Sequence, residues 1–201
     1  TTKNGLATGV RSKDGKTFMA KRIICNCDPP TVYSQMLPNA NSRLKRALPE
    51  SLTQYSMGLY VLFFGTRRVY ADIAHHTIWM GPRFKELLCD IFDRKVLADD
   101  FSLYLHRPTA TDPSFAPDGC DSFYVLCPVP NLLGNIDWQK KGPELHDKII
   151  IALNDTILPE LKDTITDDFF MSPEDFKSDY RSMHGAGFSI APIFTQSAWF
   201  R

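Results

Sequence analysis

Tyr55-Ser56-Met57-Gly58-Leu59-Tyr60-Val61-Leu62-Phe63-Phe64-Gly65 is the stretch on which the fold turns. Aromatic and branched apolar side chains dominate it, a composition suited to pleated rather than helical backbone, so it reads as a strand. Ile73 to Met80, Asp100 to His106 and Ser122 to Cys127 read the same way. Between them, Arg83 to Phe92 carries Leu87, Leu88, Ile91 and Phe92 at helical spacing. After Gly142-Pro143, a helical row of Leu145, Ile149, Leu153 and Ile157 is closed by Pro159. Ser172-Pro173-Glu174-Asp175 starts another helix, with Ser172 as cap and Asp175 at the third helical position. Strands clustered in the middle with helices before and after predict an α+β fold, a mostly antiparallel sheet flanked by helices.

Upstream of this core the pattern differs. Leu6 to Val10 and Phe18 to Cys27 are strand-like and joined through Lys13-Asp14-Gly15-Lys16, where Asp-Gly signals a hairpin. Ile23-Ile24-Cys25 reads as a buried strand. Asp28 then caps a helix that begins at Pro29 and runs through Tyr33, Met36 and Leu37 to Pro38. A second short helix spans Ser42 to Leu48 and ends at Pro49. Residues 1–36 therefore read as the tail of a separate α/β unit, and residues 37–201 as a second domain. No internal repeat or low-complexity segment is present.

Composition excludes several classes of function. The chain has 201 residues, 43% hydrophobic and 23% charged, with 23 basic residues against 23 acidic ones. Without a basic excess there is no electrostatic footprint for nucleic acid. The longest uninterrupted apolar run, Leu59 to Phe64, is far short of the roughly 20 residues of a spanning helix. Nothing at the amino end resembles a signal peptide. The reading is a protein that lies on a membrane without crossing it. Five cysteines, at 25, 27, 89, 120 and 127, are an odd number and read as free thiols in a reducing compartment. Cys25 and Cys27 lie two apart, on one side of a strand, and read as structural. Cys120 and Cys127 with His75, His76 or His106 offer no close ligand pair, so no metal is expected. The chain opens without Met into a strand-like segment and ends on Ala198-Trp199-Phe200-Arg201, which predicts a piece of something larger.

Motifs for nucleotide and acyl chemistry are missing. Gly185-Ala186-Gly187 supplies two glycines of a dinucleotide fingerprint, but Ile190 holds the third position and Pro192 follows where a helix should continue. No Walker loop, no Gly-x-Ser-x-Gly elbow and no convincing Cys/His pairing occurs. Asp99-Asp100 and Asp167-Asp168 read as solvated. Three stretches are unusual for a generic core: Ala74-His75-His76-Thr77-Ile78, the proline-punctuated loop from Leu105 to Gly119, and Tyr124-Val125-Leu126-Cys127-Pro128-Val129-Pro130. Taken alone, they are also what strand-ending prolines and a hydrogen-bonded core histidine would leave.

Read together, the strings HHTI, TDPSFAPDG, YVLCPVP, HGAGFS and QSAWFR, in this order and spacing, resemble the bacterial phytoene desaturases. Asn26-Cys27-Asp28 resembles that family's Asn-Ala-Asp pattern where the flavin domain hands over to the substrate domain, with Cys as the departure. The resemblance covers essentially the whole chain. It implies FAD as cofactor, held mainly by segments outside this chain, with Asn26 and Cys27 contributing. It implies that residues 1–36 close the flavin domain and residues 37–201 bind substrate. The implied reaction removes hydrogen stepwise from a linear carotene, phytoene, towards lycopene at the cytoplasmic membrane surface. An apolar tunnel wall from Tyr60, Phe64, Trp79 and Tyr104 is expected, although the same residues also suit the sheet's core. Asp112 is the first choice for the group that takes the departing proton or steadies positive charge, with Arg107 beside it and His76 as a weaker candidate. Carotenoid isomerases and oxygenating relatives share the architecture, and a flavin-free apolar-ligand module is the alternative from another class.

Overall fold

A computed structural model describes residues 1–37 and 52–196. The expected helix over Ser42 to Leu48 and the closing residues 197–201 lie outside the described residues. Two hairpins open the chain: β1 (Thr2–Lys3) pairs with β2 (Leu6–Ala7), and β3 (Gly9–Arg11) pairs with β4 (Thr17–Met19). The first turns on Asn4 and Gly5, both at positive φ, and the second on the expected Asp14-Gly15. Ile23-Ile24-Cys25, expected as a buried strand, forms none, and Ile24 is 98% exposed. A lone strand has no stability of its own, and among the described residues no sheet edge pairs with this one.

The short helix α1 (Pro29–Thr31) continues as a π-helical turn over Val32–Met36, close to the expected span. The Asp28 carboxylate does not cap it. It reaches across the chain instead, accepting from the Met183 amide at 2.7 Å and from the Ser189 hydroxyl, while the Thr31 hydroxyl donates to the Arg181 carbonyl at 2.7 Å.

The body is one antiparallel sheet of β5 (Gly58–Thr66), β6 (His76–Trp79), β7 (Leu103–His106), β8 (Asp121–Val129) and β9 (Ile165–Met171), in the order β6-β7-β8-β5-β9. β9 went unforeseen because Asp167 and Asp168 interrupt its apolar pattern; it is an edge strand, where charge is tolerated. α2 (Phe84–Cys89) follows β6 and ends in a π turn over Asp90–Arg94. The long helix α3 (Trp138–Thr156) starts before the expected Gly142-Pro143 boundary and carries Pro143 inside it. Asp137 caps it by accepting from the Lys140 amide at 3.2 Å, and Trp138, 1% exposed, anchors the added turn against Tyr60. That anchor outweighs the hydrogen bond lost at proline. After α4 (Leu161–Thr164) and β9, helix α5 (Pro173–Ser178) begins as expected: the Ser172 amide and hydroxyl both donate to the Asp175 carboxylate.

Strand alternation splits the sheet into two faces. Tyr60, Leu62, Phe64, Leu103, Leu105, Phe123, Val125 and Cys127 point to one face, where Leu145, Ile149 and Leu153 of α3 complete the core. Among the described residues, the segment around Ala186 pairs with the start of β5 through a bridge to Gly58 and packs on Leu59, whose side chain points to the other face. There the glycines answer a packing need. A Cβ on Gly187 would sit 2.2 Å from the Leu59 side chain, and one on Gly185, at φ +61, would sit 2.2 Å from the Pro173 carbonyl oxygen. Gly185-Ala186-Gly187 is a close-packing segment, in keeping with the absence of a pyrophosphate loop.

Candidate functional site

The register of the sheet lines up side chains from all five strands on the face opposite α3. His76 pairs with His106, His106 with Tyr124, Tyr124 with Phe63, and Phe63 with Phe169. Directly paired residues share a face, so these five rings form one continuous row. The next row is Ile78, Tyr104, Leu126, Val61 and Met171. Phe63 stacks on Phe169 with centroids 4.8 Å apart, and His106 lies 4.6 Å from the Tyr124 ring. Phe63, Tyr104, Tyr124 and Leu126 are half-buried, while Ile78 is 62% and Phe169 57% exposed. Burial, with the neighbouring Tyr104 hydroxyl, pushes the Tyr124 phenol above its ordinary value. The result is a flat apolar surface with polar tips at the β6 end.

The tunnel-wall residues expected from sequence divide between the two faces. Tyr60 and Phe64 face α3 and are 0% and 4% exposed. The Tyr60 hydroxyl donates to the Gly142 carbonyl at 2.9 Å, its ring stacks on Phe170, and burial pushes its pKa up. Trp79 also turns inward, packing on Phe101. These three are core residues. Only Tyr104 lies on the open face, and its hydroxyl meets His76 Nδ1 at 2.7 Å.

The charged candidates are likewise separated. Arg107 is 6% exposed and does not meet Asp112: its Nε donates to Asp121 Oδ2 at 2.9 Å and its Nη1 to the Ile73 carbonyl at 2.8 Å. Asp121, which sequence reading passed over, also accepts from the Thr109 hydroxyl at 2.6 Å and the Tyr70 amide at 2.7 Å. This buried pair is a clamp that joins the loops after β5 and β7 to the start of β8. Asp112 is exposed and accepts from the Ser114 amide at 3.0 Å, capping a 3-10 turn over Pro113–Phe115. The Ser114 side chain, and then its amide, hold the Asp112 carboxyl below the usual carboxylate range.

His75, His76 and His106 converge, although the sequence offers no close ligand pair and predicts no metal. His75 precedes β6, outside its strict alternation, so its ring joins the others: His75 Nε2 lies 2.7 Å from His106 Nε2, and centroids of His75 and His76 are 4.4 Å apart. Desolvation, then the neighbouring imidazoles, holds His106 below the ordinary histidine value.

Asn26 and Cys27 line a cleft of ≈ 600 Å³ with Asp28, Phe176, Tyr180 and Phe188 among its walls. Its aromatic walls suit a flat ring system such as the isoalloxazine of a flavin. They do not suit a pyrophosphate: Asp28 and Asp179 line the cleft, no Lys or Arg does, and the nearby glycines are filled by packing. The described residues of the cleft thus fit the ring end of such a cofactor and not its phosphates.

Among the described residues, α3 covers one face of the sheet and the other presents half-buried and exposed apolar and aromatic side chains, a class of surface that suits a long or flat apolar ligand. Comparison narrows this class. No protein-family model matches the chain. Among curated proteins, it is 44% identical over 97% of its length to the phytoene desaturase (lycopene-forming) of Paracoccus sp. (strain N81106 / MBIC 01143). It is 44% identical over 96% of its length to the enzyme of the same description from Pseudescherichia vulneris. It is 41% identical over 99% of its length to the phytoene desaturase (neurosporene-forming) of Rhodobacter capsulatus. The chain is thus similar throughout to part of the bacterial-type phytoene desaturases, and it spans 39% of the length of these relatives. No helix among the described residues is long and apolar enough to cross a membrane.

Proposed function

We propose that this chain is the polyene-facing part of an FAD-dependent phytoene desaturase that oxidises its substrate stepwise towards lycopene. The observation that carries the proposal is the face of the sheet opposite α3, where two rows of paired side chains leave Ile78, Tyr104, Tyr124, Leu126, Phe63 and Phe169 exposed or half-buried across all five strands. A linear carotene has no polar group, so only apolar area and shape can hold it. At roughly 25 cal/mol per Å² of apolar surface removed from water, such a face supplies useful binding without a single hydrogen bond. Phe63, Tyr104, Tyr124, Leu126 and Phe169 replace Tyr60, Phe64 and Trp79 as the wall.

Bound flavin supplies a two-electron acceptor for hydride from the substrate. Asn26 and Cys27, at the cleft with Phe176 and Phe188, are the residues of this chain that face its ring. Each desaturation also releases a proton from the neighbouring carbon. Asp112, ionised and solvent-reached on the loop after β7, and His76, at the polar end of the aromatic row, are this chain's candidates to accept it. Arg107 is assigned to the clamp with Asp121 and not to chemistry. Because the substrate dissolves in lipid, the exposed apolar side chains are read as contacts with a membrane surface at the cytoplasmic side.

The test uses the full-length protein. Flavin absorbance after purification, and conversion of phytoene to more unsaturated carotenes in its presence, are expected. Protein that carries no flavin and still binds carotene supports instead a flavin-free apolar-ligand module. Isomerised or oxygenated products with no new double bonds move the protein to the isomerase or oxygenating relatives. Asp112→Asn with flavin retained is expected to slow turnover, and normal turnover removes Asp112 from the reaction.

A further inference from the structure

We infer that His75, His76 and His106 form a binding site for one borderline divalent cation of the Zn²⁺, Ni²⁺ or Cu²⁺ class. Each imidazole offers a ligand nitrogen, and the three nitrogens lie within 4.8 Å of one another. A tetrahedral ion with bonds of 2.0–2.1 Å needs its ligand nitrogens about 3.3 Å apart, so modest rotation of partly exposed side chains completes the geometry. His75 Nε2 and His106 Nε2 are already 2.7 Å apart, a spacing that two neutral rings hold by sharing a proton and that an ion replaces.

The surroundings supply the outer contacts that metal-binding histidines need. Thr111 Oγ1 meets His75 Nδ1, and the Tyr104 hydroxyl meets His76 Nδ1. A hydroxyl that accepts from Nδ1–H leaves Nε2 free for an ion and fixes the ring's direction. His106 Nδ1 is buried without a hydrogen-bond partner among the described residues, so Nε2, already beside His75 Nε2, is the nitrogen this ring offers an ion. The neighbouring guanidinium of Arg107 does not oppose a cation here, because it is turned into the core and neutralised by Asp121. Imidazole ligands favour zinc, nickel and copper over magnesium or calcium. Three imidazole ligands leave a four-coordinate ion one position for water. The ion also ties the edge strand β6 to β7 through side chains.

The test is independent of desaturase activity. Full-length protein stripped with chelator is titrated with Zn²⁺ by calorimetry and with Co²⁺ by visible absorbance. One equivalent, bound at micromolar concentration or tighter, is expected, with Co²⁺ bands of nitrogen coordination. His76→Gln, an exposed change that leaves the fold intact, and His106→Gln should each weaken binding at least about 100-fold, beyond the 10–100-fold typical of losing an outer partner. Tyr104→Phe should weaken it about tenfold. His146→Gln, on α3, should leave it unchanged. Absence of a saturable equivalent, binding only at millimolar ion, or wild-type affinity in folded His76→Gln overturns the inference.

Discussion

Arg107 and Asp121 show at the scale of single residues how burial decides a role. An arginine next to a proline-rich loop is legible in the sequence, but whether it faces water depends on β7 alternation, which points it inward to a carboxylate 14 positions on. Removing one member strands the other charge, so Arg107→Ala is expected to cost about 3–5 kcal/mol in urea unfolding. The double change Arg107→Met with Asp121→Leu should cost far less, because no unpaired charge remains. Cys127 is a second case. It is 1% exposed, and desolvation pushes its thiol to about 12, so at pH 8 it stays protonated. Mass-mapped alkylation of native protein is expected to label exposed Cys89 and spare Cys127 until the protein is unfolded.

At the level of the sheet, one-residue alternation separates the side chains that hold the fold from those free to meet a ligand. Tyr60→Ala removes a buried ring and its bond to α3, and should destabilise by about 3–5 kcal/mol. Phe63→Ala, on the opposite face, gives up chiefly its stacking on Phe169, worth about 0.5–1.5 kcal/mol. In the full-length enzyme, Phe63→Ala and Tyr124→Ala should raise KM for phytoene with flavin content unchanged. A stability loss at Phe63 equal to that at Tyr60 would refute the division of faces. The face itself was recoverable from Ser122-Phe123-Tyr124-Val125-Leu126-Cys127: Phe, Val and Cys mark the sealed side, and Ser and Tyr the other. Tyr55 to Gly65, apolar at nearly every position, carries no such mark.

Across the whole molecule, large apolar side chains are exposed at many positions among the described residues, Ile78 and Phe169 on the sheet and Ile24 and Phe188 away from it. Large exposed apolar patches mark interaction sites or association liabilities. The 201-residue chain on its own is therefore expected to enhance the fluorescence of an apolar dye. Phe63→Ser with Phe169→Ser should reduce that signal, and dye binding unaffected by the pair would place the sticky surface elsewhere.

The amino acids alone were sufficient for the α+β class, four of the five sheet strands, the hairpin turn at Asp14-Gly15 and the Ser172 helix start, since each depends on neighbours a few positions apart. The partner of Arg107, the face that Tyr60 occupies, the edge strand β9 and the meeting of His75 with His106 depend on strand register. Register is set by packing between segments far apart in the chain, and a shift of one position would exchange every inward side chain for an outward one.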